Sequence, residues 1–357
     1  MKKVISILVC LVFVLALFTA CSSSNDKSAD TAAPGNDNPV TAVPADSGKT
    51  YTLKMAHHLN PDHEEARAFQ AIADLVAERT DGRLTITIFP SSQMGSEREV
   101  DEMVQMGTVD IGISDGATWA TVLGVDELAV WSLPFMYANT DGQRAIMESE
   151  YFIPAAEPYF LQAGVRPLWA VGSDIRGTMT VDKPIQTADD VVGLKIRIPE
   201  INLYAQLWKA LGANPTTTPM SEAYTALSQG VVDGVELGPN TIINYNLQEV
   251  CKYFTLTGHM ASTRFISVND ANWQKIPEDL RNTMLEVVDE LWDAQFEHHV
   301  VAYEETLQQM RDAGVEILEL SAGEREKMIE KCAPIYQTYR DMGLSDLVDK
   351  LLELGAG

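Results

Sequence analysis

From residue 51 onward the hydrophobic positions switch between a period of two and a period near 3.6, the mark of strands alternating with helices. Tyr51 to Ala56 alternates Tyr, Leu and Met with Thr, Lys and Ala, and Leu84 to Phe89 alternates β-branched with apolar residues, so both read as strands. Between them, His63 to Thr80 sets Phe69, Ile72, Ala73 and Val76 at helical spacing, and Gly82 follows its end. Ser96 is placed to cap a helix running to Gly107, with acids in its first turn. Val109 to Ser114 then gives a short strand that stops at Asp115-Gly116. Such α/β alternation builds a mostly parallel sheet with ligand sites at the strand carboxyl ends.

A second block starts near Ser173. Strands are expected at Thr178 to Val181, Leu194 to Ile198 and Val231 to Leu237, interleaved with helices at Asn202 to Leu211 and Ser221 to Gln229. A long helical pattern follows. Pro277 suits its first turn, and Met284, Val287, Val288, Leu291, Tyr303, Leu307 and Met310 keep one broad face until Gly314. Unbroken, it would reach about 55 Å at 1.5 Å per residue, enough to brace two small domains. A strand at Val315 to Leu320 and helices through Leu354 complete the chain.

The first 50 residues have a different texture. Lys2 and Lys3 precede the uncharged run Val4 to Phe18, then Thr19, Ala20 and Cys21, the layout of a secretory signal with small residues before the cut. The run is short of the roughly 20 residues that span a bilayer. Residues 21–50 are small, polar and interrupted by proline, with no aromatic residue, and read as a flexible tether. The expected division is therefore 1–20 signal peptide and 21–50 tether, with the folded body beyond.

Charge narrows the partners. The formal net charge is −25, and residues 1–50 carry four Lys against four Asp, so the whole excess belongs to the body. No basic stripe exists to release counterions, which removes nucleic acid as a general partner. An acidic protein still binds an anion through local cations strong enough to overcome the global field. GLKIRIPE, residues 193–200, offers such cations: Leu194, Ile196 and Ile198 share one face of a strand, Lys195 and Arg197 the other. Taken alone, that face is a cleft wall or a solvated outer surface.

Catalytic and metal signatures are missing. The sequence has no G-x-S-x-G elbow, P-loop or G-x-G-x-x-G after a strand, and acid pairs such as Glu97/Glu99 or Asp189/Asp190 read as solvated helix faces. No enzyme and no cofactor is expected. His57, His58 and His63, and the pair His298-His299, lack the i, i+4 spacing of a helical zinc pair, so no metal is expected either. Cys251 and Cys332 either pair or remain as buried thiols.

The order of segments carries a resemblance. LTITIFPSSQMGSEREVDEMVQMGTVDIGISD, LPFMYAN, KPIQTADDVVGLKIRIPE, ALGANPTTTPMSEAYTALSQGVVDGVE and TGHMASTRFISVN resemble, in order and spacing, the solute-binding protein of tripartite ATP-independent periplasmic (TRAP) transporters across nearly all of residues 51–345. Thr19-Ala20-Cys21 likewise resembles a bacterial lipobox, with Phe18 where an aliphatic residue is usual; it implies a lipid on Cys21. The resemblance implies an α/β, two-lobed periplasmic-binding-protein-like fold with a long helix bridging both lobes: lobe I from 51–173 and 262–301, lobe II from 174–261 and 302–357 with the C-terminal helices. It implies an extracytoplasmic, lipid-anchored, monomeric receptor that passes an organic acid to TRAP permease subunits in the membrane. The ligand would be a sugar acid (uronate or aldonate), a C4-dicarboxylate, or a 2-oxo or aromatic carboxylate. A sensor or adhesion lipoprotein of the same fold, without transport, is the alternative.

By the same resemblance Arg197, in G-x-K-x-R-[IV]-P, binds the ligand carboxylate, with Arg176 of GSDIRGT as a second basic contact. Further contacts are implied at His57 and His58, at Asp115, and at Trp119, Glu236 and Asn240. One departure stands out. Many relatives carry Glu-Asn-Pro where this chain reads DGVELGPN, so Leu237 replaces a ligand-contacting asparagine and Asn240 lies three places on.

Overall fold

The structure, a computed structural model, describes residues 48–356. The signal, lipobox and tether positions up to residue 47 lie outside the described residues. From Gly48 the chain forms one compact unit. Its strands are β1 (Tyr51–Ala56), β2 (Leu84–Phe89), β3 (Ile111–Asp115), β4 (Val165–Ile175), β5 (Gly177–Thr180), β6 (Lys195–Ile198), β7 (Asn214–Thr217), β8 (Gly234–Leu237), β9 (Tyr253–Leu256), β10 (Ala261–Asn269) and β11 (Glu316–Glu319).

They build two sheets. The first has the order β2-β1-β3-β10-β4, with β1 parallel to β2 and β3, and β10 antiparallel to β3 and β4. The second runs β11-β9-β5-β8-β6-β7, with β6 parallel to β7 and β8. The short strands and most helices fall where periodicity puts them; Asn202–Leu211 matches to the residue. Periodicity alone does not resolve β4 and β10, which pair antiparallel along most of their length and carry the chain between the sheets. Both are buried on two faces along much of their run, so no clean alternation marks them. Arg176 alone separates β4 from β5, and Thr257 to Met260 bridge β9 and β10, so Arg176 and His259 occupy the two crossing points.

Helix Glu64–Arg79 packs over the first sheet, capped by His63, whose Nδ1 accepts from the Glu65 amide at 3.3 Å. Helix Glu97–Gln105 begins with a capping box between Ser96 and Glu99, which orients Glu97 at the strand ends. The long helix, Glu278–Asp312, has 35 residues and is unbroken. It packs on helix Glu64–Arg79 and β4, then on helix Pro239–Asn244 and β11, bracing both sheets.

Near the C-terminus, helix Ala322–Tyr339 packs against Asn202–Leu211, but the last helix, Ser345–Gly355, crosses to helix Thr140–Met147 of the first half. The sequence reading gave all of 302–357 to lobe II, so its final helix lies on the other side of that division. Gly142 permits this docking, because a Cβ there would stand 2.3 Å from the Gly355 carbonyl oxygen. Cys251 and Cys332 are both free and buried, in separate core clusters, and burial pushes each thiol up to about 12.

Candidate functional site

The two halves meet along a crevice at the carboxyl ends of β1, β3 and β6, and the crevice is shut. Tyr245 donates to the His58 carbonyl at 2.9 Å, and Asn60 Nδ2 donates to the Asn244 carbonyl at 3.1 Å. Tyr204, on helix Asn202–Leu211, donates to Asp115 Oδ2 at 2.8 Å, while Arg98 pairs with Glu200 at 3.1 Å on the outside. Each contact joins a first-half element to a second-half one.

Three guanidiniums are buried here, and their surroundings differ. Arg176 makes two parallel bonds to Glu236, Nε to Oε2 at 2.7 Å and Nη2 to Oε1 at 2.8 Å, and a third to the Glu236 carbonyl at 2.9 Å. His259 Nε2 lies 3.2 Å from the same carboxylate, and Arg176 stacks 5.4 Å from the Tyr204 ring centroid. Burial works against the Arg176 charge, but Glu236 overcomes it and holds its pKa above the usual value. Arg264, from β10, pairs with Glu65 through one contact, Nη1 to Oε2.

Arg197 has no such partner among the described residues. The guanidinium is 3% exposed; its Nε and Nη2 donate to the Thr218 carbonyl at 2.9 and 2.6 Å, and Nη1 lies 3.7 Å from the Met220 sulfur. Burial pulls its pKa down to about 10, with only more distant help from Glu236 and Glu97. The alternation LKIRI puts both cations on one face of β6, but their surroundings separate them: Lys195 is exposed, whereas Arg197 is enclosed. Its fork is held by one carbonyl, leaving hydrogens unassigned for an anion.

The other expected site residues divide. Asp115 caps helix Gly116–Leu123 by accepting from Thr118 and faces Tyr204. His58 points at Glu97, with Nδ1 3.9 Å from its carboxylate, and burial keeps this imidazole well below its ordinary pKa. His57 turns the other way, against the Phe69 ring at 5.6 Å, and burial lowers it to about 4. Trp119 is a core residue: its indole is fully enclosed and edge-on to Phe160, since helix Gly116–Leu123 presents it to the first half's interior. Leu237 sits in the core of the second half.

Asn240 is engaged elsewhere. Its amide and Nδ2 donate to Asp174 at 2.7 and 2.8 Å, Nδ2 also reaches Glu64 at 3.2 Å, and Oδ1 accepts from Thr306 at 2.7 Å. Gly238 makes room, because a Cβ there would fall 2.1 Å from Asp174 Cβ. His299 Nδ1 lies 2.8 Å from Glu64 in the same cluster. Glu64, Asp174 and His299 offer three ligand atoms within 4.8 Å of one another, yet they come from three elements and escape any motif search. Burial disfavours charge on His299, but the Glu64 bond and the Asp174 charge prevail and raise its pKa. The two carboxylates thus favour the protonated form of the imidazole between them.

Sequence reasoning missed this joint, along with Arg264, Glu65 and Glu97. Of these, sequence singles out only Glu97, as part of an acid pair on a solvated helix face; nothing local marks Glu64 and Glu65, in the first turn of their helix, as buried.

Among known proteins, the family described as bacterial extracellular solute-binding protein, family 7 (DctP), matches residues 55–341. The chain is 29% identical to the C4-dicarboxylate-binding periplasmic protein DctP of Rhodobacter capsulatus, over 83% of this chain and 88% of that protein. A TRAP periplasmic solute-binding protein from Desulfovibrio salexigens, solved with bound orotic acid, superposes with a TM-score of 0.80 at 26% identity, covering 86% of this chain and 99% of the other. One from Chromohalobacter salexigens, solved with bound D-glucuronate, gives 0.80 at 26% identity, covering 85% and 99%. These relatives are receptors rather than enzymes, and among the described residues no helix is long and apolar enough to cross a membrane. With 55–341 matched end to end, the chain belongs to the bacterial extracellular solute-binding proteins of family 7, the extracytoplasmic receptors of TRAP transporters.

Proposed function

We propose that the protein captures a small organic acid in the crevice between its halves, grips the acid's carboxylate with Arg197, and delivers it to TRAP permease subunits in the membrane. The observation that carries this reading is a buried guanidinium without a carboxylate partner among the described residues, in a crevice where the other two are paired. Burying an unpaired charge is costly, and an anion arriving in that position recovers much of the cost. Arginine suits the task because its planar fork orients a carboxylate and keeps its proton.

Asp115, His58 and the Arg176–Glu236 pair complete the site in this reading, the first two facing the ligand and the third holding the crossing strands. Asn240 acts at the joint behind it. Relatives with this fold hold glucuronate and orotic acid, which supports an acid ligand. Ligand contacts from both halves favour the shut state, which is the state a permease would recognise. A lipid on Cys21 would keep the receptor at the membrane surface.

The test is a thermal-shift screen against organic acids with wild type and Arg197→Ala. A ligand should raise the melting temperature by mass action in wild type only. Stabilisation by amines or neutral sugars instead, or equal stabilisation of both proteins by an acid, would overturn the reading.

A further inference from the structure

We infer that the crevice is built for a monocarboxylate bearing hydrogen-bond donors, hydroxyl or ammonium, and that Glu97 and Asp115 turn dicarboxylates away. This rests on Arg197 being the carboxylate's partner. The argument begins with charge. Of the three buried guanidiniums, Arg176 is paired with Glu236 and Arg264 with Glu65, which leaves Arg197 as the one without a contacting carboxylate among the described residues. A single ligand carboxylate would supply that contact.

The facing wall is acidic. Glu97 opens its helix with the side chain 29% exposed, and the nearest basic group is His58 at 3.9 Å, an imidazole kept neutral by burial. Asp115 is held by neutral donors only: Thr118 through its amide and hydroxyl at 2.8 and 3.1 Å, and the Tyr204 hydroxyl at 2.8 Å. Neither acid has a cation within ion-pairing distance among the described residues other than that imidazole. Arg98, next to Glu97, pairs at 3.1 Å with Glu200, three residues past Arg197, and Tyr204 on the helix that follows β6 reaches Asp115 at 2.8 Å, so both acids belong to the wall that meets the end of β6 carrying Arg197.

A second carboxylate placed there would meet carboxylate oxygens, and like charges juxtaposed in a desolvated site cost several kcal/mol. A hydroxyl or ammonium would instead donate to them. Burial raises the Glu97 carboxyl to about 7 against the pull of Arg264, while Asp115 and Asp101 push it up and Ser114 and Arg176 pull it down. The discrimination is therefore strongest above neutrality, where Glu97 is ionised.

Calorimetric titration at about pH 8 distinguishes the outcomes. The probes are D-gluconate and D-glucuronate against succinate and fumarate, with wild type, Glu97→Gln and Arg197→Ala; apo melting temperatures confirm that each variant is folded. Wild type should bind at least one hydroxylated monocarboxylate about tenfold or more tightly than either dicarboxylate, a difference that like-charge repulsion readily supplies. Glu97→Gln should narrow that ratio by admitting the dicarboxylates. If wild type binds succinate or fumarate as tightly as the hydroxy acids, with Arg197→Ala abolishing it, the carboxylate grip stands and the monocarboxylate inference falls. A ratio unchanged in Glu97→Gln would also overturn the role given to Glu97. If no acid binds, or binding survives Arg197→Ala, the reading of Arg197 fails and takes this inference with it.

Discussion

Two buried regions of this molecule solve opposite problems with the same chemistry. At the joint, where the crossing strands leave one sheet for the other, every charge has its partner: Arg176 with Glu236, His299 with Glu64, Asp174 with Asn240. In the crevice, on β6, Arg197 is as deeply enclosed yet leans only on the Thr218 carbonyl and the Met220 sulfur. The joint spends its polar groups on holding a shape, whereas the pocket keeps one charge in reserve. Burial lowers Arg197 to about 10 while Glu236 holds Arg176 above its usual value, so the two arginines differ in what surrounds them rather than in depth.

The largest effect should come from breaking the joint. Arg176→Ala strands Glu236 in an enclosed site, and removing one member of a buried pair costs about 3 to 5 kcal/mol. Urea denaturation of the apo protein should show that loss; a midpoint within error of wild type would erase the distinction between the regions. Arg197→Ala should act on the other axis, costing about 2 to 5 kcal/mol of ligand affinity by calorimetry. Arg197→Met should leave apo stability unchanged or raised, since it removes a buried unpaired charge and fills its volume. Destabilisation by Arg197→Met comparable to that of Arg176→Ala would mean the pocket arginine is structural.

Much of the frame was legible in the chain. Period-two runs gave β1, β2 and β6, the capping box placed helix Glu97–Gln105, and Pro277 marked the start of the long helix within a residue. Arg197 stood out as a cation interrupting an apolar strand. What pattern could not supply was partnership. Trp119 and Asn240 are a tryptophan and an asparagine near strand ends in either case; only packing tells that one faces the core and the other binds Asp174. The joint draws Glu64, Asp174, Asn240 and His299 from positions 64 to 299, and no local period records contacts at that separation.

A smaller effect should follow pH at the joint. His299 has a raised pKa, so its contribution is fully present below the ordinary imidazole value and is lost as pH rises through the raised one. His57, lowered to about 4, has the opposite sign: its contribution is present above about 6.5 and is lost as pH falls toward 4. His299→Gln should therefore cost about 1.5 to 3 kcal/mol at mildly acid pH, the worth of a hydrogen bond to a charged group, and progressively less as pH rises. A deficit that grows with pH would place the imidazole in the joint as a neutral group.

The smallest effect sharpens the comparison on a single strand. Lys195 and Arg197 are two residues apart on β6 and share its polar alternation, but Lys195 is exposed and Arg197 is 3% exposed. Lys195→Ala should change stability by no more than about 0.5 kcal/mol, as surface substitutions do. It should also leave ligand affinity nearly unchanged, because a solvated ammonium near the rim is screened by salt within about a Debye length of 8 to 10 Å. Titrations of this variant at low and high salt separate two sources of attraction. If the acid is drawn by the general positive edge of β6, Lys195→Ala weakens binding at low salt almost as much as loss of Arg197 does. If it is held by one enclosed fork, affinity follows Arg197 alone and depends little on ionic strength, because a desolvated pair is beyond the reach of counterions.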